Sequence, residues 1–158
     1  MLQFFQFEAE FVDSLRCIPM QVRYKLDTCG VKLKLQHWHS FSPRQRQELI
    51  ELPCETEAEV KNYRENLRSQ VFQIFQTYPS DLPIETPPAW QLLAIPSDVQ
   101  DQAQTLNLAI APAQWQSLNP LQRFVLIKLS TSHHENNNFL PALQEFGILS
   151  KLTSSPKN

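Results

Sequence analysis

The residues able to do chemistry are few and scattered. His133, His134 and Glu135 form the densest metal-like group. Adjacent histidines point apart, and no second cluster with ligand spacing accompanies them, so they read as a loop or partner-contact segment. His37 and His39 flank Trp38 and read as exposed polar positions rather than ligands. The three cysteines, Cys17, Cys29 and Cys54, cannot all pair within one chain and lack C-x-x-C spacing. They fit buried, inert thiols in a reducing cytoplasm. Two isolated glycines, Gly30 and Gly147, cannot build a phosphate-cradling loop. No Ser–His arrangement resembles a nucleophile elbow. The acids between positions 48 and 59 gather at a helix start, where the helix dipole favours them. These residues predict no enzyme, no cofactor and no metal site.

The elements that must position these residues are helical. The chain has 158 residues, 42% of them hydrophobic, with ten Phe, three Trp, twelve Pro and two Gly. Scarce glycine and abundant proline predict short helices started by Pro and joined by stiff turns, not a β-sandwich. No apolar run is long enough for a membrane span, and the acidic start MLQFFQFEAEF is unlike a signal peptide. The expected class is all-α: a single helical domain over 1–150 followed by a mobile tail over 151–158. Residues 1–15 are expected as an extended arm turning helical near Glu8. VKLKL at 31–35 reads as a short extended connection. Thr56 to Glu59 forms a capping-box pattern, opening a long helix over about 57–77. Its apolar face is Val60, Tyr63, Leu67, Val71, Ile74 and Phe75. The proline-rich stretch 79–90 reads as a surface crossover, and a short helix over about 139–146 ends at Gly147.

The stretch WHSFSPRQRQELIELP, starting at Trp38, returns at Trp115 as WQSLNPLQRFVLIKLS. Sliding the chain by 77 residues gives 12 identities in the 35 positions from Ile18 to Leu52. Trp38 meets Trp115, Pro43 meets Pro120 and Arg46 meets Arg123. Gly30 meets Asn107, the residue types best able to end a helix in the left-handed region. Ser42 meets Asn119, both good N-caps. The reading is two pseudo-symmetric helix–turn–helix repeats, about 18–52 and 95–129. Trp38 and Trp115 are expected as core wedges. Arg46 and Arg123 are expected to repeat one structural contact, to a helix end or a Trp face.

The copies differ in charge. Arg16, Arg23, Lys25, Asp27, Lys32 and Lys34 become Leu93, Gln100, Gln102, Gln104, Ala109 and Ala111. Seven of the chain's 14 Lys and Arg lie between Arg16 and Arg46. One copy lacks most of them, so the fold does not demand them. They predict a basic docking surface for an acidic partner, against the plainer reading of a solvated face. His133 and His134 join this set as partner-contact residues. Conversely Arg44, Gln47 and Glu48 become Leu121, Phe124 and Val125, which predicts a central, buried second helix in copy two.

Two long runs, FFQFEAEFVDSLRCIPMQVRYKLDTCGVKLKLQHW and LQRFVLIKLS followed by SHHENNNFLPALQEFGIL, resemble the nitrate-reductase-associated protein family, found mainly in cyanobacteria. The resemblance covers nearly the whole chain and is strongest over 4–54 and 115–149. It implies a small cytoplasmic accessory protein of the assimilatory, molybdenum-cofactor-dependent nitrate reductase, acting in maturation, stability or electron supply. It brings no catalytic residues. The basic face would then dock on the reductase or on ferredoxin. A nucleic-acid-binding regulator using the same segment is the first rival, weakened by poor aromatic–basic interleaving and a formal charge of −2. A molybdenum-cofactor carrier with a polar pocket is the second.

Overall fold

A computed structural model describes residues 4–9, 17–132 and 136–149. Its described residues form eight α-helices, three short 3-10 turns and one two-stranded ribbon. The all-α expectation holds. The backbone contacts divide into two compact units: Phe4 with Glu8–Glu85, and Phe5–Phe7 with the chain from Thr86 onward.

In the first unit, α1 spans Met20–Cys29 and ends at Gly30 in the left-handed region, φ 75°. β1 (Val31–Lys32) follows and pairs antiparallel with β2 (Ser80–Asp81). α2 is Leu35–Ser40, and α3 is Pro43–Glu51. Ser42 caps α3, its Oγ accepting from the Gln45 amide at 3.1 Å while the Gln45 side chain accepts from the Ser42 amide. Pro43 occupies the first helical position, where its missing N–H costs nothing. α4 runs Glu57–Phe75, opened by the Thr56–Glu59 capping box. It stops at Gln76, which takes φ 60°.

α4 buries Tyr63, Leu67 and Val71 against Val22, Leu26, Trp38 and Leu49 in the core of this unit. Ile74, assigned to that apolar face by the sequence, is instead exposed, while Gln70 is buried. At 100° per residue Ile74 falls within the arc of 63, 67, 70 and 71, so its angle does not account for its exposure; it stands in the last turn of α4. Of the extended connection expected at 31–35, Val31 and Lys32 form β1, whereas Leu35 already opens α2.

In the second unit, α5 spans Ser97–Thr105, α6 Pro112–Ser117, α7 Pro120–Thr131 and α8 Phe139–Glu145. Met20, Leu35 and Pro43 each stand 77 positions before the residue that opens α5, α6 or α7 (97 − 20 = 112 − 35 = 120 − 43 = 77). Asn107 takes φ 59° after α5. Asn119 caps α7 through its side-chain oxygen, 2.8 Å from the Gln122 amide. α7 buries Arg123, Phe124, Val125, Leu126 and Leu129. A 3-10 turn, Ala89–Gln91, precedes α5 within the proline-rich stretch.

Candidate docking surface

Each unit holds a tryptophan under an arginine clasp. Trp38 is 2% exposed and Trp115 fully buried. Arg46 lies over the Trp38 ring at 5.9 Å and donates from Nη1 to the carbonyls of Trp38 (3.2 Å) and Phe41 (2.6 Å). Arg123 donates to the carbonyls of Trp115, Gln116 and Trp90, each at 3.2 Å. Both guanidinium groups therefore bond carbonyls at the end of the short tryptophan helix, and Arg123 also reaches the Trp90 carbonyl of the preceding 3-10 turn, strong contacts because the donor is charged. The indoles differ. Trp115 Nε1 donates to the Leu92 carbonyl at 3.3 Å, whereas Trp38 Nε1 is buried with no partner among the described residues.

The expected basic surface is partly dismantled by the fold. Lys25, expected on it, is buried: its Nζ donates to the carbonyls of Ile50 (2.7 Å) and Leu52 (2.6 Å). The ammonium thus closes the C-terminal end of α3 and lies 5.6 Å from the Tyr63 ring centre. Burial lowers its pKa, opposed by the nearby Cys54 and Glu55. Arg23 and Asp27 are half-buried and make contacts of their own. Lys32 on β1 and Lys34 just before α2 are exposed. Arg16, His133 and His134 lie outside the described residues.

Arg64 was missed by reasoning on the first repeat alone. Its Nη1 donates to the carbonyls of Cys29 (3.2 Å) and Gly30 (3.1 Å), and its Nη2 pairs with Asp81 at 2.7 Å. It ties α4 to the end of α1 and to the ribbon, and it holds the Asp81 carboxyl below the usual carboxylate range. The spacing Lys61, Arg64, Arg68 on one helix was the available signal.

His37, expected as exposed, is 8% exposed. Its Nδ1 accepts from the Lys34 amide at 3.1 Å, and its ring meets Phe75 edge-on at 4.9 Å. Gln114, 77 positions on, makes the same bond to the Ala111 amide at 2.8 Å. Imidazole and amide are interchangeable here because each presents one acceptor to a helix's first turn. Burial, then the charge of Lys34, lowers the His37 pKa.

Cys29 and Cys54 are buried free thiols, and Cys17 is half-buried. Burial pushes the Cys29 thiol up to about 12 and the Cys54 thiol to about 11. Both are protonated and poor nucleophiles at neutral pH. Among the described residues no group of three or more His, Cys, Asp or Glu could hold a metal ion. Nor is any described helix long and apolar enough to cross a membrane.

A sequence profile described as conserved nitrate reductase-associated protein matches residues 4–146. No curated protein and no solved structure matches the chain.

Proposed function

Because this chain belongs to the family of conserved nitrate reductase-associated proteins, we propose that it is an accessory protein of the assimilatory, molybdenum-cofactor-dependent nitrate reductase. It acts by docking and not by catalysis, within the cytoplasm. The reading takes the chain as one functional domain built from a doubled helical module. One copy kept the plain module, and the other acquired positive charge.

One observation carries the docking step. Lys32 and Lys34 are exposed on the first unit, and the residues 77 positions on are Ala109 and Ala111. The matching helices form without those charges, so packing does not account for them. The two lysines lie just before α2 and would meet an acidic surface on the reductase, the partner the family name supplies. Attraction between such surfaces steers the encounter and sets its orientation.

The test is capture of purified reductase by the wild type and by a Lys32→Glu, Lys34→Glu double variant with an unchanged circular dichroism melt. Charge reversal is expected to abolish capture at low salt. Equal capture by both proteins removes the docking model. A second measurement assigns the step: molybdenum content and activity of reductase made with and without the protein. Full metal loading with low activity identifies electron supply, and poor loading identifies maturation.

A further inference from the structure

α4 carries a second feature, separate from the lysines. Residues Glu65, Arg68, Ser69, Phe72 and Gln73 form a stripe on its outer side, and Tyr78 completes a cleft of about 350 Å³ with them. The left-handed turn at Gln76 reverses the chain after α4 and folds Tyr78 back onto the helix. The Tyr78 ring stacks on Phe72, centroids 4.7 Å apart and planes 27° apart. The Arg68 guanidinium lies over the same ring at 4.3 Å.

This site is unusual on three counts. First, Phe72 is 37% and Tyr78 55% exposed, against a helix that already buries a separate apolar face. Second, Arg68 has its ring contact but no carboxylate at salt-bridge distance among the described residues, and its buried Nε lacks an acceptor. Two carboxylates are near it: Asp81, which also feels the Arg68 charge, is paired with Arg64, and Glu65 lines the cleft beside it. Third, the cleft is open and shallow. It can seat a few side chains but cannot enclose a small molecule, which needs most of its surface buried. Arginine and exposed aromatic residues together are the composition of interface hot spots. A stacked, pre-positioned guanidinium is built to take a carboxylate.

We propose that this cleft docks an acidic, apolar peptide segment of a protein partner. A carboxylate of that segment pairs with Arg68, and a neighbouring aromatic or aliphatic side chain packs on Phe72 and Tyr78. Ser69 and Gln73 supply hydrogen bonds to its backbone. The cleft shares no residue with Lys32 and Lys34, and its occupation does not depend on the reductase being the partner.

The probe is a fluorescein-labelled decapeptide of alternating Asp or Glu with Leu or Phe, titrated with the full chain and read by fluorescence anisotropy. Saturable binding is expected, weakened at least tenfold by Arg68→Gln and by Tyr78→Ala. Replacing the peptide's acids by Asn and Gln, or its apolar residues by Ser, is expected to weaken it equally. Arg68→Lys separates roles: it keeps the charge but loses the planar stack and forked geometry, and is expected to recover only part of the affinity. Tyr78 is exposed and Arg68 half-buried, and an unchanged melting temperature shows that the variants are folded. The proposal is overturned if the peptide fails to saturate, if the variants bind as the wild type does, or if single-stranded DNA or anionic vesicles bind there in its place. None of these measurements uses the reductase. Their failure leaves the role of Lys32 and Lys34 standing, and failure of reductase capture leaves the cleft standing.

Discussion

His37 shows how one side chain can be read through its counterpart. The Lys34 amide needs an acceptor, and Nδ1 supplies it only while unprotonated. Burial lowers the imidazole pKa below its ordinary 6.5. The folded protein therefore binds the proton less readily than the unfolded chain. The stability His37 contributes is present above pH 6.5 and is lost as pH falls from there through the lowered folded value. His37→Gln replaces it by the residue at the Gln114 position, an acceptor at every pH. Urea midpoints between pH 7.5 and 5 should fall more steeply for the wild type than for this variant, and parallel curves would refute the capping role. The tryptophans give a second test. Trp115→Phe breaks a hydrogen bond to Leu92 and strands a carbonyl, whereas Trp38→Phe removes a donor that has no partner. Denaturant unfolding should show Trp115→Phe costing about 1 kcal/mol more than Trp38→Phe. Lys25 was illegible for the opposite reason: nothing in its local sequence reveals that the end of α3 covers it. A charge in a basic run reads as exposed until tertiary packing supplies carbonyls for it.

At the scale of elements, the stops and starts were the most legible part of the fold. Ser42, Asn119 and Thr56 act through bonds to amides three residues on, so their sequence spacing is their mechanism. Gly30 and Asn107 share the left-handed geometry but not the surroundings. A Cβ on Gly30 would lie 2.8 Å from Ile84 Cδ1 and 3.1 Å from the Leu82 carbonyl oxygen. Gly30→Ala should cost more than about 1 kcal/mol, through strain at positive φ and through this crowding. Asn107→Gly, which relaxes the same geometry, should stay within a few tenths. Adding Ile84→Ala to Gly30→Ala should restore only part of the loss, because the carbonyl and the φ remain. Thermal melts of the three variants decide the point. The stop after α4 was hidden by its residue type. Gln76 is a poor advertisement for a left-handed turn, so neither the end of the helix at Phe75 nor the return of Tyr78 could be read in advance. The cleft beside Arg68 was invisible for the same reason.

At the scale of the whole molecule, three helices of each unit start 77 positions apart, and the chain beside them differs in charge. Lys32 and Lys34 lie in water, where a Debye length of about 10 Å at 0.1 M salt limits their reach. Association through them should weaken steeply as salt rises, measured as the reductase dissociation constant between low and high ionic strength. The Lys32→Glu, Lys34→Glu protein should lose this salt dependence along with its affinity. A flat response in the wild type would mean that apolar contact carries the complex. The self-similarity of the chain was open to inspection in its letters, because tryptophan, proline and arginine at fixed spacing survive drift. The role of Arg64 was not: its partners sit 34 and 35 residues earlier and 17 later in the chain. Only the folded arrangement joins them.

The shielded amine of Lys25 offers a practical handle. Reagents that acylate lysines will reach Lys32, Lys34 and Lys61 at once but must wait for α3 to release the ammonium of Lys25. The pace at which that one position becomes labelled, followed by mass spectrometry, is a clock for opening of the first unit. A partner that clamps the unit shut would slow the clock without touching the residue.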